Sequence, residues 1–248
     1  STNGDFEYSH LLIIVIGSIL VRSAGCVIND ILDKDLDGDV ERTKTRPIPS
    51  KKLSIFESWA VFGALGLFSL MLLSLTNTNT ILISLCFGFM IVLYPLTKRF
   101  FIGPQIFLGL TFNPTIIVYA MTNELNNPTM IFLYLAVAAK TIAFDSFYGL
   151  CDIEDDKKLG INSTPLWWGS KTLLIIAILQ FAVISFLMVV GFKAELSSAW
   201  YIGIILLSGF YFYQHRLASQ KDFLLAFKNN HWASLYLLFL SVFCFLII

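Results

Sequence analysis

The feature that most constrains this chain is its division into apolar stretches about twenty residues long, each the length needed to cross a bilayer as a helix. They fall at residues 10–33, 54–75, 78–96, 104–121, 128–149, 171–192, 198–214 and 231–248. Hydrocarbon offers the backbone no hydrogen bonds, so each stretch must satisfy its own by coiling into a helix. A mean hydropathy of +0.75 with 56% hydrophobic residues lies well outside the range of water-soluble domains. The expectation is an all-α, multi-span transmembrane bundle of eight helices, with Pro114 kinking the fourth. Tight polar connectors are expected at Thr76–Asn79, Asn123–Asn127 and Lys193–Ser197, alternating with longer charged loops on the other side.

Lys plus Arg and Asp plus Glu are equal at 17, so bulk charge gives no reason to expect a nucleic-acid partner. Distribution matters more. The loops at 34–53, 97–103, 150–171 and 214–230 hold fourteen Lys and Arg residues, and the other side holds Lys193 alone. This bias predicts that these loops face the cytoplasm, or the matrix of an organelle. Cys26, Cys86, Cys151 and Cys244 are far apart, with no C-x-x-C pair, and read as small packing residues. His10, His215 and His231 fall at predicted helix ends, which argues against a histidine metal site.

The chemistry concentrates where the first span turns acidic. At about 100° per residue, Asn29, Asp33 and Asp37 share one helical face, and Arg22 lies near the same stripe. Oxygen ligands in such a row suit a hard divalent cation that keeps positions open for phosphate oxygens. The fifth span ends similarly: Asp145, Tyr148, Asp152 and Asp156 fall on one broad face, and Glu154 falls away from it. A single acidic run at a membrane boundary reads as a solvated helix end. Two runs on the same side, each spaced by four, favour a pair of metal half-sites opening onto one cavity, because carboxylates gathered without a cation repel one another.

Basic residues follow both runs. Arg42, Lys44 and Arg46, then Lys98 and Arg99, suit diphosphate oxygens that a metal leaves uncompensated. Arg22, inside a span, should face the bundle interior, where it could hold a substrate carboxylate or pair with an aspartate. Lys140, also inside a span, could snorkel or pair with Asp145.

Taken together, Asn29-Asp30-x-x-Asp33-x-x-x-Asp37, Arg42-Thr-x-x-Arg46-Pro47, Tyr94-Pro-x-x-Lys98-Arg99, Pro104-Gln105 through Asn113, and Asp145-x-x-Tyr148-x-x-x-Asp152-x-x-Asp155-Asp156 with Gly160-x-x-Ser163-Thr164 resemble the UbiA superfamily of intramembrane prenyltransferases. Within it, the chain is most similar to the 4-hydroxybenzoate polyprenyltransferases of ubiquinone biosynthesis. Five motifs in the right order carry the resemblance. It implies a nine-helix fold of which the first helix has no counterpart here, and hence a single domain over residues 1–248 that is N-terminally incomplete. The chain departs from the family pattern at Asn162, where a Lys is usual, at Lys140, where an aromatic is usual, and at Phe144, where a Tyr is usual.

The resemblance implies Mg²⁺-dependent transfer of a polyprenyl group from its diphosphate to a small aromatic acid, in a bacterial cytoplasmic or mitochondrial inner membrane. Asn29, Asp33 and Asp37 would hold one Mg²⁺, and Asp152 and Asp156 the other. Arg42, Lys44, Arg46, Lys98 and Arg99 would bind the diphosphate, Arg22 the acceptor's carboxylate, and Asp145 and Tyr148 the ring or the allylic cation. The resemblance also fits a naphthoate, homogentisate or haem acceptor, or a non-catalytic relative. A phosphatidyltransferase would carry a D-G-x-x-A-R signature that is absent, and a cation channel would have no need of the Arg-Pro and Tyr-Pro-x-x-Lys-Arg segments.

Overall fold

The computed structural model describes residues 8–38 and 43–246, apart from the side chains of Leu36 and Asp37. The described residues contain α-helices and no strand. In chain order these are α1 (Tyr8–Leu32), α2 (Lys34–Asp37), α3 (Ile55–Leu73), α4 (Thr78–Thr97), α5 (Pro104–Thr111) and α6 (Thr115–Met121). They continue with α7 (Thr129–Cys151), α8 (Ile153–Leu159), α9 (Thr164–Trp168), α10 (Thr172–Lys193), α11 (Ser198–Ser219) and α12 (Phe223–Leu246). Among the described residues, six segments are long and apolar enough to cross a membrane: α1, α3, α4, α7, α12, and Thr164–Lys193, which joins α9 to α10. The chain is a multi-pass membrane protein.

Each expected span is found as helix, with two instructive differences. The stretch 104–121 is divided into α5 and α6, because Pro114 lacks the N–H that would continue the ladder. Asn113, 1% exposed, secures the break: its Nδ2 donates to Tyr134 O at 2.8 Å, and its Oδ1 accepts from Thr115 N–H at 3.2 Å. The second difference concerns the expected loop 214–230. Here α11 runs on to Ser219 and α12 begins at Phe223, so Arg216 and Lys228 lie on helices and only Gln220–Asp222 connects them. His231 therefore sits well inside α12, and His215 inside α11, rather than at helix ends. Apolar windows stop where polar side chains begin, whereas a helix continues until its carbonyls are capped. The expected loop 150–171 is likewise built of short helices.

The chain forms two compact units: Ser1–Leu96 with Ile116–Leu125, and Thr97–Thr115 with Asn126–Ile248. In the first, α1 packs on α3, where Gly17 lies against Leu72. A capping box starts α3: Ser54 Oγ accepts from Glu57 N–H at 3.2 Å, and Glu57 Oε2 accepts from Ser54 N–H at 2.8 Å. Asn77 serves two helix ends at once. Its Oδ1 accepts from Thr80 N–H at 2.9 Å, capping α4, and its Nδ2 donates to the Ala120 and Met121 carbonyls that end α6.

In the second unit α7 packs against α5, α10 and α12, and α11 packs against α10 and α12. The core is built around Val183, Leu187, Trp200, Ile204, Leu207 and Leu240. Small residues bring the backbones close: a Cβ on Gly191 would run into the Trp200 ring, whose Nε1 donates to Leu187 O at 2.9 Å. The buried Gln180 and Gln214 and the half-buried His215 and Asn229, on α10, α11 and α12, satisfy one another. Gln180 Nε2 donates to Gln214 Oε1 at 2.7 Å, Gln214 Nε2 donates to Asn229 Oδ1 at 3.1 Å, and Gln180 Oε1 lies 2.9 Å from His215 Nε2. Of the cysteines, Cys244 is buried in this core as expected, whereas Cys26, Cys86 and Cys151 are exposed; none of the four is in a disulfide.

Candidate active site

Each acidic motif sits where a long apolar helix gives way to a short polar one. In the first unit α1 ends at Leu32 and α2 starts at Lys34, so the row is not one continuous helix. The spacing survives because Asp33 N–H donates to Asn29 O at 2.9 Å, the i to i−4 bond of a helix. Asn29 is half-buried and Asp33 is 1% exposed, so both side chains leave the helix one turn apart in sheltered positions. The backbone of Asp37 lies in α2, but its side chain lies outside the described residues, as does all of Arg42. Arg22 lies on α1 two turns before Asn29, and its side chain is accessible.

Arg46 is held by a residue the row did not select. Its Nη1 donates to Asp30 Oδ1 at 2.8 Å, with the two side chains 30% and 25% exposed. The surrounding loop is a compact turn: Arg46 N–H donates to Thr43 O at 2.9 Å, and Arg46 O accepts from Ser50 N–H at 3.0 Å and from Ser50 Oγ at 2.6 Å. Thr43 is buried beneath it, and Lys44 is exposed upon it. A guanidinium has five donors, enough to hold Asp30 and a phosphate oxygen together.

In the second unit α7 ends at Cys151 and α8 begins at Ile153, with Asp152 between them. Asp156 N–H donates to Asp152 O at 2.8 Å, so these two carboxylates keep the one-turn spacing read from the sequence. Asp145, Tyr148, Asp152 and Asp156 are all half-buried, and Glu154 is exposed, as the helical projection requires. Gly160 closes α8 in the left-handed region at φ 65°, where Ile161 N–H returns to Asp156 O at 2.9 Å. Asn162 N–H then donates to Lys98 O at 2.9 Å. That bond ties the half-buried Lys98 to the segment leaving α8, while Arg99 beside it is exposed.

The remaining motif residues act beneath this second motif. Gln105 Oε1 accepts from Thr164 N–H at 2.8 Å, and Thr164 Oγ1 lies 2.8 Å from Ser146 Oγ, one residue from Asp145. Gly149 leaves room for Pro165 and the Gln105 amide. Sequence reading did not assign Asp30, Gln105 or Ser146; the signal available was their place inside the quoted motifs or one residue off an acidic row.

Among the described residues no three His, Cys, Asp or Glu side chains gather closely enough to hold a metal ion alone. Pairs of oxygen donors one turn apart fit Mg²⁺ in another way, since Mg²⁺ takes one or two carboxylates and completes its shell with water and substrate phosphate. Lys140 does not pair with Asp145. Its Nζ donates to Ser234 Oγ at 2.7 Å and lies 5.7 Å from the centroid of the Phe144 ring.

The sequence matches the UbiA prenyltransferase family over residues 1–242. It is 40% identical over 228 residues to the 4-hydroxybenzoate octaprenyltransferase of Alcanivorax borkumensis, covering 90% of this chain and 78% of that protein. It is 37% identical over 241 residues to the enzyme of the same name from Pseudomonas aeruginosa, covering 95% and 81%. In fold it resembles the apo structure of a UbiA homolog from Aeropyrum pernix, with a TM-score of 0.86 at 22% identity over 96% of this chain and 90% of that one. A UbiA homolog from Archaeoglobus fulgidus bound to GPP and Mg²⁺ superimposes with a TM-score of 0.73 at 19% identity, over 96% and 88%.

Proposed function

Because the chain belongs to the UbiA prenyltransferase family, we propose that it transfers a polyprenyl group from polyprenyl diphosphate to the ring of 4-hydroxybenzoate, in ubiquinone biosynthesis. The observation that carries this reading is the repeated arrangement of oxygen donors one helical turn apart, Asn29 with Asp33 and Asp152 with Asp156, each at the end of an apolar helix. Relatives named for this acceptor, and a structural neighbour holding Mg²⁺ with a prenyl diphosphate, support it. The reading treats residues 1–248 as one catalytic domain in a bacterial cytoplasmic or mitochondrial inner membrane, with its basic loops on the cytoplasmic or matrix side.

Asn29, Asp33 and Asp37 would hold one Mg²⁺ and Asp152 and Asp156 another, and such ions would supply neutralisation of the diphosphate's charge, which makes it a better leaving group. Arg46, Lys98 and Arg99, with Arg42 and Lys44, bind the diphosphate and take up the charge it gains as the allylic C–O bond breaks. The acceptor ring attacks the allylic carbon and loses a proton. Asp145 and Tyr148 orient the ring or stabilise the allylic cation, and the apolar helices keep out the water that would quench it. Two cations inside spans are available to the acceptor's carboxylate, Arg22 on α1 and Lys140 on α7; sequence reading favours Arg22.

The test is prenylation of radiolabelled 4-hydroxybenzoate by membranes carrying the chain. A lipophilic product is expected only with Mg²⁺ and a polyprenyl diphosphate. Asp33→Ala and Asp152→Ala should each lower kcat at least about a hundredfold, since each removes a ligand from a charge-neutralising site. A Mg²⁺-independent product, or none, would sink the reading.

A further inference from the structure

The short helix that carries Asp156 has little of its own to hold it in place. α8 is seven residues long and buries none of them, so packing does little to fix it and its two ends decide where Asp156 stands. At one end the chain continues from α7 through Asp152. At the other, Gly160 turns left-handed and the chain passes through Asn162 and Ser163 to Thr164, which is wholly buried. Asn162 N–H meets Lys98 O at 2.9 Å, and Thr164 N–H meets Oε1 of the buried Gln105 at 2.8 Å. Within five residues an accessible helix end is thus tied to buried bonds.

The Thr164 hydroxyl fastens the same point to α7. Ser146 Oγ donates its one proton to Ile142 O at 2.7 Å, so across the 2.8 Å contact Thr164 Oγ1 is the donor and Ser146 Oγ the acceptor. Gly149, nearly one turn further along α7, has no side chain to hold the next residue away: a Cβ there would lie 3.0 Å from Pro165 Cγ and 3.2 Å from Gln105 Nε2. Thr164 thus joins α5 through Gln105 and α7 through Ser146, all within the second unit. We infer that Gln105 and Thr164 form a latch that fixes the C-terminal end of α8 and so positions Asp156 against Asp152 for a divalent cation. Both act through α8, as positioning residues. The inference rests on the proposed metal-dependent transfer for what the carboxylate pair holds, and on these buried bonds for what holds the pair.

The experiment uses the full chain in lipid nanodiscs and follows two quantities. One is backbone hydrogen exchange; the other is Mn²⁺ binding by electron paramagnetic resonance in an Asp33→Ala background, which leaves Asp152 and Asp156 as the intact pair. Gln105→Leu removes the acceptor of Thr164 N–H, and Thr164→Val keeps the side chain's shape but not its hydroxyl. Each should speed exchange across residues 153–162 at least about fivefold, as the loss of a buried hydrogen bond allows. Each should also weaken Mn²⁺ binding at least about tenfold, the usual effect of removing a group that orients a metal ligand. Thr164→Ser, which keeps the hydroxyl, should match the wild type in both. So should Ser163→Ala, which removes a buried hydroxyl that has no hydrogen-bond partner. Gly191→Ala, which crowds Trp200 at the far end of α10, controls for general destabilisation: it should lower the unfolding midpoint and leave both quantities unchanged. Unaltered exchange across 153–162 in Gln105→Leu overturns the latch, as does Mn²⁺ binding weakened equally by Gly191→Ala or Ser163→Ala. If the Asp152–Asp156 pair takes up no Mn²⁺ yet exchange responds as expected, the metal reading fails and the latch stands. If the wild type makes prenylated product and binds Mn²⁺ equally well with Gln105 or Thr164 replaced, the latch fails and the transferase stands.

Discussion

At the scale of single residues, Asp30 separates function from stability. Its bond to Arg46 is partly exposed, so it contributes at most about 1 kcal/mol to folding. Asp30→Ala is therefore expected to leave the thermal midpoint nearly unchanged while raising the donor KM several-fold, because Arg46 loses its orientation; an unaltered donor KM would remove Arg46 from the diphosphate site. Gly109 tests packing instead. A Cβ there would lie 2.6 Å from Ile142 and 2.8 Å from the carbonyl oxygen of Ala138, and the second contact is backbone that cannot rotate away. Gly109→Ala should destabilise the second unit by about 1–3 kcal/mol, seen as a lowered midpoint in detergent. Residue spacing was legible in advance for Asp152 and Asp156, because a one-turn interval survives even where the helix is interrupted. The partners of Arg46, Lys98 and Lys140 were not, because Asp30, Asn162 and Ser234 are chosen by loop path and helix pairing rather than by periodicity.

At the scale of elements, three connectors share one device. Asn123, Glu195 and Lys221 take left-handed φ values of 59°, 53° and 67° just past the ends of α6, α10 and α11. In each, the next residue's N–H returns five positions, as Asp222 does to Leu217 O at 3.0 Å. A side chain pays a steric penalty in this region, so Lys221→Gly should stabilise the α11–α12 turn by up to about 1 kcal/mol, read as a raised thermal midpoint. Such an ending needs no Gly or Pro, which is why the sequence suggested a long loop at 214–230 where a three-residue turn stands. Gln105 is the complementary case. Gln105→Leu leaves Thr164 N–H without its acceptor in a buried place, and a loss of about 1–3 kcal/mol is expected on chemical unfolding.

At the scale of the whole molecule, the charge bias makes orientation testable. In a chain with its four cysteines replaced by serine, cysteines introduced at Lys51 and Lys221 should react with an impermeant thiol reagent only from the cytoplasmic or matrix side, and one at Glu195 only from the opposite side. Labelling of all three from one side would reject that topology. The sequence by itself determined that this chain crosses a membrane as helices, where the chain is acidic, and which carboxylates share a turn. Those properties follow from local rules: backbone hydrogen bonds must close within each apolar segment, and side chains recur every 3.6 residues. Only the tertiary structure decided that α5 and α6 are separate, that Arg46 leans on Asp30, and that Lys140 reaches Ser234. These depend on which helices lie side by side, and in a uniformly apolar chain that choice is made by close contact at residues such as Gly109 and Gly191, which hydrophobic pattern does not reveal.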